Sequence, residues 1–184
     1  MIGEGFAAVL AAAQDGSESA FSQLWRDTNP ALLRYLRVLC PAAAEDIAAE
    51  TWVKTLRNLS GFCGDEPAWR AWVFTTSRRL VIDERRRTAR KPAVRLSDVP
   101  LAALPYSADA SDEALERLST RAAIEMLAKL PPLQAEVILL RVVAGLDTEA
   151  VARLVGRSPG AVRIAAHRGL RKLAQIAAEA GVTL

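Results

Sequence analysis

The chain has 184 residues, 51% of them hydrophobic, and a formal net charge of only +3 at pH 7. This length is enough to bury one or two hydrophobic cores, whereas the small net charge alone says little about binding partners. One histidine and two cysteines, Cys40 and Cys63, cannot complete a zinc site, so we expect no metal and no cofactor.

No segment of the sequence has the pattern of a membrane span or a secretion signal. A run of ~18 apolar residues is absent, and the N-terminus lacks a basic segment followed by an apolar core. The segment FAAVLAAA is too short to cross a bilayer and should begin a core helix. We therefore expect a soluble, unprocessed, cytoplasmic protein with reduced cysteines and no membrane contact of its own.

Apolar residues recur at spacings of three and four along most of the chain, which predicts an all-α protein. The first long helix should begin at Ser17 or Ser19 as its N-cap and stop at Pro41. Pro30 should kink or interrupt it, because proline lacks the N–H that an α-helix needs. The expected buried stripe consists of Phe21, Leu24, Trp25, Leu32, Leu33, Leu36 and Leu39.

Two more helices are expected over about 43–59 and 67–89, separated by the loop SGFCGDEP. The segment KPAVRLSDVPLAALPYSADASD then has three prolines and little periodicity, which is typical of a flexible linker. The sequence thus predicts helical domains over 1–90 and 112–184, joined by a linker over 91–111. An apolar stripe of the 67–89 helix is interpreted as core: Trp69, Trp72, Val73 and Leu80.

Basic residues are concentrated in two places. Residues 78–91 contain seven Lys and Arg against two acids, and residues 157–172 contain five Lys and Arg with no acid. These clusters indicate either two contacts with an anionic partner or two solvated helix faces. In the second domain, helices are expected over about 112–129, 132–144, 147–155 and 158–178.

The last two of these helices have the pattern of a helix-turn-helix. Ala152 is small and lets the two helices approach closely, and Gly156 can adopt the left-handed conformation of the turn. Val162 is a branched apolar residue that would anchor the second helix in the core. Ser158 can cap the second helix, and Pro159 fits its first position. The remaining core is expected from Val151, Leu154 and Ile164.

The second helix of this motif would place its N-terminal half in the major groove of DNA. Arg163 and His167 are four apart and share a face, and arginine can bond guanine with two hydrogen bonds. An antiparallel hairpin with a basic solvent face is the alternative. The residues expected to face outward are Gly160, Ala161, Arg163, Ala166, His167 and Arg168. Those better placed for phosphates are Arg157, Arg171 and Lys172.

A more specific pattern runs through the stretch EDIAAETWVKTLRNLSGFCGDEPAWRAWVFTTSRRLVIDERRR. It contains D-I-x-x-E-T-W, then F-x-G-D, then a Trp-led helix ending in arginines, and the helix-turn-helix follows. In this order, from about Ala20 to Leu173, the chain resembles bacterial RNA polymerase sigma factors of the sigma-70 family. It is most similar to the extracytoplasmic-function (ECF) group, in which only the second and fourth sigma domains are present, joined by a flexible linker.

The resemblance implies a non-enzymatic transcription initiation factor that binds core RNA polymerase and helps to melt promoter DNA. A helix with acids would dock on a coiled coil of the largest polymerase subunit, although Ala49 stands where the family usually has Gln. The polymerase flap is the other expected contact on core polymerase. The candidates for core polymerase binding are Asp46, Glu50, Trp52 and Lys54.

The loop over residues 60–67 would capture a base flipped out of the −10 element. Phe62 should either stack on a base or anchor the loop in the core, and Asp65 should either accept from a base or cap the next helix. The −10 candidates are Phe62, Gly64, Asp65, Arg79, Asp83 and Arg86. Arginines expected on phosphates also include Arg78, Arg85, Arg87 and Arg90.

The helix-turn-helix would hold the −35 element, about two helical turns upstream. Its candidates are Arg157, Ser158, Gly160, Arg163, His167, Arg168, Arg171 and Lys172. The group also implies an anti-sigma factor as a partner. The alternative function is a stand-alone helix-turn-helix regulator with a helical dimerisation or ligand-binding domain. An enzyme is disfavoured because there is one histidine and the acids are scattered.

Overall fold

The computed structural model describes residues 1–90 and 122–180, and within these ranges the chain is helical and has no strand. The all-α prediction is therefore confirmed. The first unit contains four helices: α1 (Phe6–Gln14), α2 (Glu18–Leu39), α3 (Ala44–Arg57) and α4 (Glu66–Arg90). Short 3₁₀ turns accompany them: Gly3–Gly5, Pro41–Ala43 and Leu59–Gly61.

Helix α2 begins where the sequence predicts. The Ser17 Oγ accepts a hydrogen bond from the backbone N–H of Ala20 at 3.3 Å, which satisfies a donor that the first helical turn leaves unpaired. The helix is continuous through Pro30, so the predicted interruption is wrong. Pro30 and Arg26 are both exposed, and the Arg26 carbonyl that loses its helical donor can therefore bond water.

The buried stripe of α2 is confirmed with one exception. Leu24, Leu32 and Leu36 are fully buried, whereas Trp25 is 40% exposed, so its assignment to the core is wrong. Trp25 follows Leu24 directly and is therefore rotated by about 100° around the helix axis, away from the stripe. Three members are only partly buried but still pack against the core: Phe21, Leu33 and Leu39.

Trp69 of α4 lies at the centre of the first unit and is only 1% exposed. Its indole N–H donates to the hydroxyl of Thr28 at 3.1 Å, so its polar atom is paired inside the core. Four aromatic rings surround it with centroids 5.5 to 6.5 Å away, and they belong to Phe6, Trp52, Phe62 and Trp72. This cluster joins α1, α3, the loop before α4, and α4 itself.

The second unit is also helical. Its elements are α5 (122–128), α6 (Pro132–Ile138), a π-helical turn (Leu139–Val143), α7 (Thr148–Val155) and α8 (Pro159–Glu179). Helices α7 and α8 form the predicted helix-turn-helix. Gly156 adopts the left-handed conformation at φ +67°, and the Ser158 Oγ accepts from the N–H of Ala161 at 3.2 Å.

The two units pack against each other. Helix α2 lies against α6 and the π-helical turn, and α4 lies against α7. Buried hydrophobic side chains form one cluster that includes residues of both units. No sequence pattern predicted this contact. The predicted linker at 91–111 and the predicted helix start at 112 lie outside the described residues.

Leu24→Ala should lower the free energy of unfolding by about 2–5 kcal/mol, because it leaves a cavity at a fully buried site. Leu56→Ala is the matched control: Leu56 is 55% exposed, and the change should cost less than about 0.5 kcal/mol. Urea unfolding followed by tryptophan fluorescence reports on this unit, because all four tryptophans lie within residues 1–90. Equal losses for the two variants would contradict the assigned core.

Candidate protein and nucleic-acid interfaces

Helix α3 presents a surface that combines acidic and apolar side chains. Asp46 and Glu50 are exposed and four residues apart, so they lie on one side of the helix. Val53 and Leu56 continue this side and are 47% and 55% exposed. We call these four residues the α3 face. Exposed aliphatic side chains beside charges are suited to docking, because the apolar part is desolvated while the charges set orientation.

Trp52 does not belong to the α3 face, which corrects its assignment as a polymerase-binding residue. It is 8% exposed, and its indole N–H donates to the side-chain oxygen of Asn29 at 2.9 Å. Its ring also meets that of Phe21 edge-on, with centroids 6.1 Å apart. Trp52 therefore fastens α3 to α2. Lys54 lies at the margin of the α3 face, where its ammonium pairs with Glu50 at 2.9 Å.

The loop before α4 is held by internal contacts. The Phe62 ring stacks on Trp72 with centroids 4.9 Å apart and meets Trp69 edge-on. The side-chain amide of Gln14 donates to the carbonyls of Leu59 and Phe62 at 2.9 and 2.8 Å. Of the two roles expected for Phe62, the structure therefore shows the core anchor.

Two other loop residues are also fixed by local structure. The Asp65 carboxylate accepts from the N–H of Ala68 at 2.9 Å, which is the capping role among the two expected for it. Gly64 has no room for a side chain, since an added Cβ would lie 2.8 Å from the Cβ of Ala68. Cys63 is exposed, whereas Cys40 is partly buried, and burial raises the pKa of the Cys40 thiol.

Helix α4 carries a row of exposed polar side chains toward its C-terminal half. Arg79, Asp83 and Arg86 are all exposed, and their spacing of four and three residues places them on one side of the helix. This agrees with the surface expected from the sequence. Arginines with freely accessible guanidinium groups on one helix face are suited to phosphates and to base edges.

Three arginines expected on phosphates have partners within the protein. Arg78 pairs with Glu136 at 2.7 Å, and Arg87 pairs with Glu84 at 2.6 Å. Arg85 donates to the carbonyl of Leu39 at 2.9 Å. Arg78 and Arg85 thus join different parts of the fold, whereas the Arg87 pair lies within α4 and its side chain is 67% exposed. The role of these arginines on phosphates stays a prediction.

Helix α8 separates a buried side from an exposed side. Val162, Ala165 and Gly169 are buried, and Gly169 lies close against α6, since an added Cβ would lie 2.7 Å from the Ile138 Cδ1 and 3.1 Å from the Gln134 Cβ. The opposite side holds the exposed −35 candidates Arg163, His167, Arg168, Arg171 and Lys172. Arg157 and Ser158 are exposed at the turn before α8, and Gly160 is partly buried.

Two predictions for α8 are wrong. Ile164 was expected in the core but is 55% exposed, because it lies two residues after buried Val162 and hence on the opposite side of the helix. Ala166 was expected to face outward but packs against the core. A helical wheel anchored on Val162 and Gly169 would have placed both correctly. Ile164 thus stands among basic side chains, between Arg163 and His167 along the exposed side.

Within residues 1–90 and 122–180, no group of three or more His, Cys, Asp or Glu side chains is arranged to hold a metal ion. Among the helices described there, none is both long and apolar enough to cross a bilayer.

Comparison with known proteins identifies both units. The sigma-70 region 2 family matches residues 24–91, and the sigma-70 region 4 family matches residues 120–173. The ECF RNA polymerase sigma factor ShbA of Streptomyces griseus is 35% identical over 181 residues, covering 92% of this chain and 94% of ShbA. The ECF sigma factor BldN of Streptomyces coelicolor is 31% identical over 166 residues. That match covers 89% of this chain and spans 62% of BldN.

A similar fold occurs in the sigma factor RpoE of Bartonella quintana, crystallised in complex with the anti-sigma factor NepR. The TM-score is 0.64, the sequence identity is 23%, and the match covers 84% of this chain and 94% of RpoE. The likeness shows that the fold is shared.

Gly64→Ala should destabilise the first unit by about 1–3 kcal/mol, because Ala68 is fixed to the first turn of α4 and cannot move aside. Gly61→Ala is the matched control in the same loop, since an added Cβ there meets nothing within 4 Å. Urea unfolding monitored by tryptophan fluorescence measures both. If the two variants were equally stable, the loop would not be held against α4 as described.

Proposed function

This chain belongs to the ECF RNA polymerase sigma factors, and from that premise we propose how its described surfaces divide the work of promoter recognition. Such a factor binds core RNA polymerase, directs it to specific promoters and has no enzymatic activity of its own. The stand-alone regulator considered from the sequence is set aside, because regions 2 and 4 of a sigma factor both match.

We assign sigma domain 2 to residues 1–90, the linker to 91–111 and sigma domain 4 to 112–184. The factor works in the cytoplasm, where polymerase and chromosome are found, and makes no membrane contact of its own. Its two domains each bind weakly and gain from being joined, because polymerase fixes the distance between them and raises their effective concentration.

The α3 face is the proposed docking surface for the coiled coil of the largest polymerase subunit. Val53 and Leu56 would supply apolar contact area, and Asp46 and Glu50 would orient the complex against basic residues of the coiled coil. Ala49 lies exposed among them, where the family usually has Gln, so aliphatic contacts take a larger share of the interface here. Domain 4 would contact the flap.

Helix α4 and the preceding loop are the proposed −10 surface. Arg79, Asp83 and Arg86 form its exposed row. Because Phe62 and Asp65 are engaged in the fold, we assign to the loop the role of a rigid rim around a flipped base. Unstacking a base costs a few kcal/mol, so phosphate contacts from the arginines must contribute to melting.

Helix α8 is the proposed −35 surface, and its two-sided character is the observation that carries the assignment. One side is fixed against α6 and α7, and the other presents Arg163, His167 and Arg168 to solvent. Arg163 would bond a guanine in the major groove, and Arg157, Arg171 and Lys172 would hold phosphates. Ile164 adds an aliphatic group beside them, suited to the C5-methyl group of a thymine.

An anti-sigma factor is a further proposed partner. The structural relative RpoE was crystallised with the anti-sigma factor NepR. The α3 face and the α8 surface are the parts of this chain that such a partner would have to cover in order to block polymerase and DNA.

Asp46→Lys should weaken the affinity for purified core polymerase roughly tenfold or more, because it replaces attraction to a basic partner with repulsion. Glu18→Lys, at an exposed position on α2, makes the same charge change outside the α3 face. Titration of labelled sigma factor with core polymerase at two salt concentrations measures both. Equal effects of the two variants would show that only net charge matters and would remove the α3 face from the interface.

Arg163→Ala should relax the preference for one guanine, and Ile164→Ala the preference for one thymine, within the −35 element, each by about 1–3 kcal/mol for the lost base contact. Transcription from a promoter library randomised at −35 measures both preferences. The affinity for core polymerase should stay unchanged, and Arg26→Ala on α2 is the charge-matched control. Loss of polymerase binding together with promoter selection would indicate misfolding or a wrong assignment.

A further inference from the structure

The side chain of Gln14, the last residue of α1, holds the loop before α4. Its amide nitrogen donates to the carbonyl of Leu59 at 2.9 Å and to the carbonyl of Phe62 at 2.8 Å. A primary amide has two N–H donors, so both donors of Gln14 are used on this one loop. The two acceptors stand on either side of the exposed residues Ser60 and Gly61, and Gln14 therefore links the two sides of this turn.

The part of the loop that follows Phe62 depends on such contacts. Residues 62–65 belong to no helix or strand, so regular structure supplies no donor for their carbonyls, and a side chain or water must do so. Gln14 is that donor for Phe62. Cys63, Gly64 and Asp65 are exposed and come directly after the fixed carbonyl. Gln14 therefore sets the point from which the exposed part of the loop projects.

A second set of contacts fixes the other end of the loop. Glu66, the first residue of α4, is 8% exposed, and its carboxylate oxygens accept from the backbone N–H groups of Ile2 and Gly3, each at 2.9 Å. Hydrogen bonds to a charged group are roughly twice as strong as those between neutral groups. The four hydrogen bonds that Gln14, Ile2 and Gly3 donate are called the N-terminal clamp.

Helix α1 gives the N-terminal clamp a firm support. Phe6, Leu10 and Ala13 are buried, and the Phe6 ring lies 6.5 Å from that of Trp69, centroid to centroid. The helix also packs along α2. Because the neighbouring Ala13 is buried, the start of the Gln14 side chain has a fixed position. The sigma-70 region 2 match begins at residue 24, so α1 and the donors of the clamp lie outside the matched segment.

We propose that Gln14 is a positioning residue for −10 recognition, which holds the loop over residues 59–65 in the shape that receives a flipped base. The role of the loop rests on the function proposed above, whereas the clamp does not. A loop that is already ordered loses little conformational entropy when a base enters, so more binding energy is left to offset unstacking. Without the Gln14 bonds, the competent loop is only a fraction of the population, and the apparent affinity falls by that fraction.

Hydrogen exchange of the free, full-length protein tests the clamp itself. Gln14→Met keeps a side chain of similar length but removes both donors. The amides of residues 59–65 should exchange roughly two- to tenfold faster in this variant, the factor expected for the net loss of a hydrogen bond. Gln23→Met makes the same change at an exposed glutamine of α2 and should leave these amides unchanged.

Binding of single-stranded DNA by the complex with core polymerase tests the role in base capture. The probe is the −10 non-template strand selected by run-off transcription, intact or with one base removed at each position in turn. For the wild type, the abasic position that costs the most affinity marks the captured base. Gln14→Met should bind the intact strand roughly two- to tenfold more weakly and this abasic strand as well as the wild type does.

The ratio of the two affinities separates positioning from a merely structural role, because a general loss of structure weakens both strands alike. Gln14→Glu is a second variant of the same size. Its carboxylate cannot donate and would face two carbonyl oxygens, so it should lower the ratio at least as much as Gln14→Met. Helical circular dichroism and the affinity for core polymerase without DNA should be unchanged in every variant, which excludes misfolding.

Each outcome decides the proposal. Faster exchange together with a lower ratio, in both Gln14 variants and not in Gln23→Met, would support it. Unchanged exchange would overturn the clamp, and equal weakening of both strands would overturn the positioning role. If no abasic position mattered to the wild type, base capture by the loop would fail while polymerase binding stood. If the wild type did not bind core polymerase, the proposed function would fail and the positioning role with it, and hydrogen exchange would still decide the clamp.

Discussion

The burial of Trp69 is the constraint on which the first domain depends. Its ring touches Phe6, Trp52, Phe62 and Trp72, and its N–H is paired with Thr28. Through Trp52 the cluster sets the position of α3 and so the direction of the α3 face, the proposed docking surface. The contact of Trp69 with Phe62 fixes the loop before α4. Because Trp69 belongs to α4, its burial also sets which side of α4 carries the exposed row. One packed centre therefore coordinates three surfaces.

In the second domain, helix α8 has a buried side and an exposed side along its length. Small and branched residues let α8 approach α6 and α7 closely, and this fixes the side that remains for DNA. We propose that different residues of that side carry specificity and affinity. Arg163 and Ile164 would face base edges, whereas the cations at the turn and along the later turns of α8 would face the phosphate backbone.

Local patterns in the sequence were sufficient for most of the fold. The side chains of Ser17 and Ser158 predict helix N-caps, and Gly156 predicts a left-handed turn. The structure confirms all three. Periodicity was misapplied at Trp25, which is rotated by about 100° from buried Leu24, and at Ile164, which lies two residues after buried Val162 on the opposite side of α8. Residues that meet across long distances, such as Tyr35 and Glu136, could not be paired, since neither carries a local signal of its partner.

The central claim is that this chain gives core RNA polymerase its promoter specificity, and run-off transcription tests it most directly. Purified core polymerase is assayed with and without the protein on a library of promoters. We expect transcripts that depend on the protein, with start sites whose alignment reveals one −10 and one −35 element. Absence of such transcripts, together with tight binding of linear duplex DNA by the protein alone, would contradict the account.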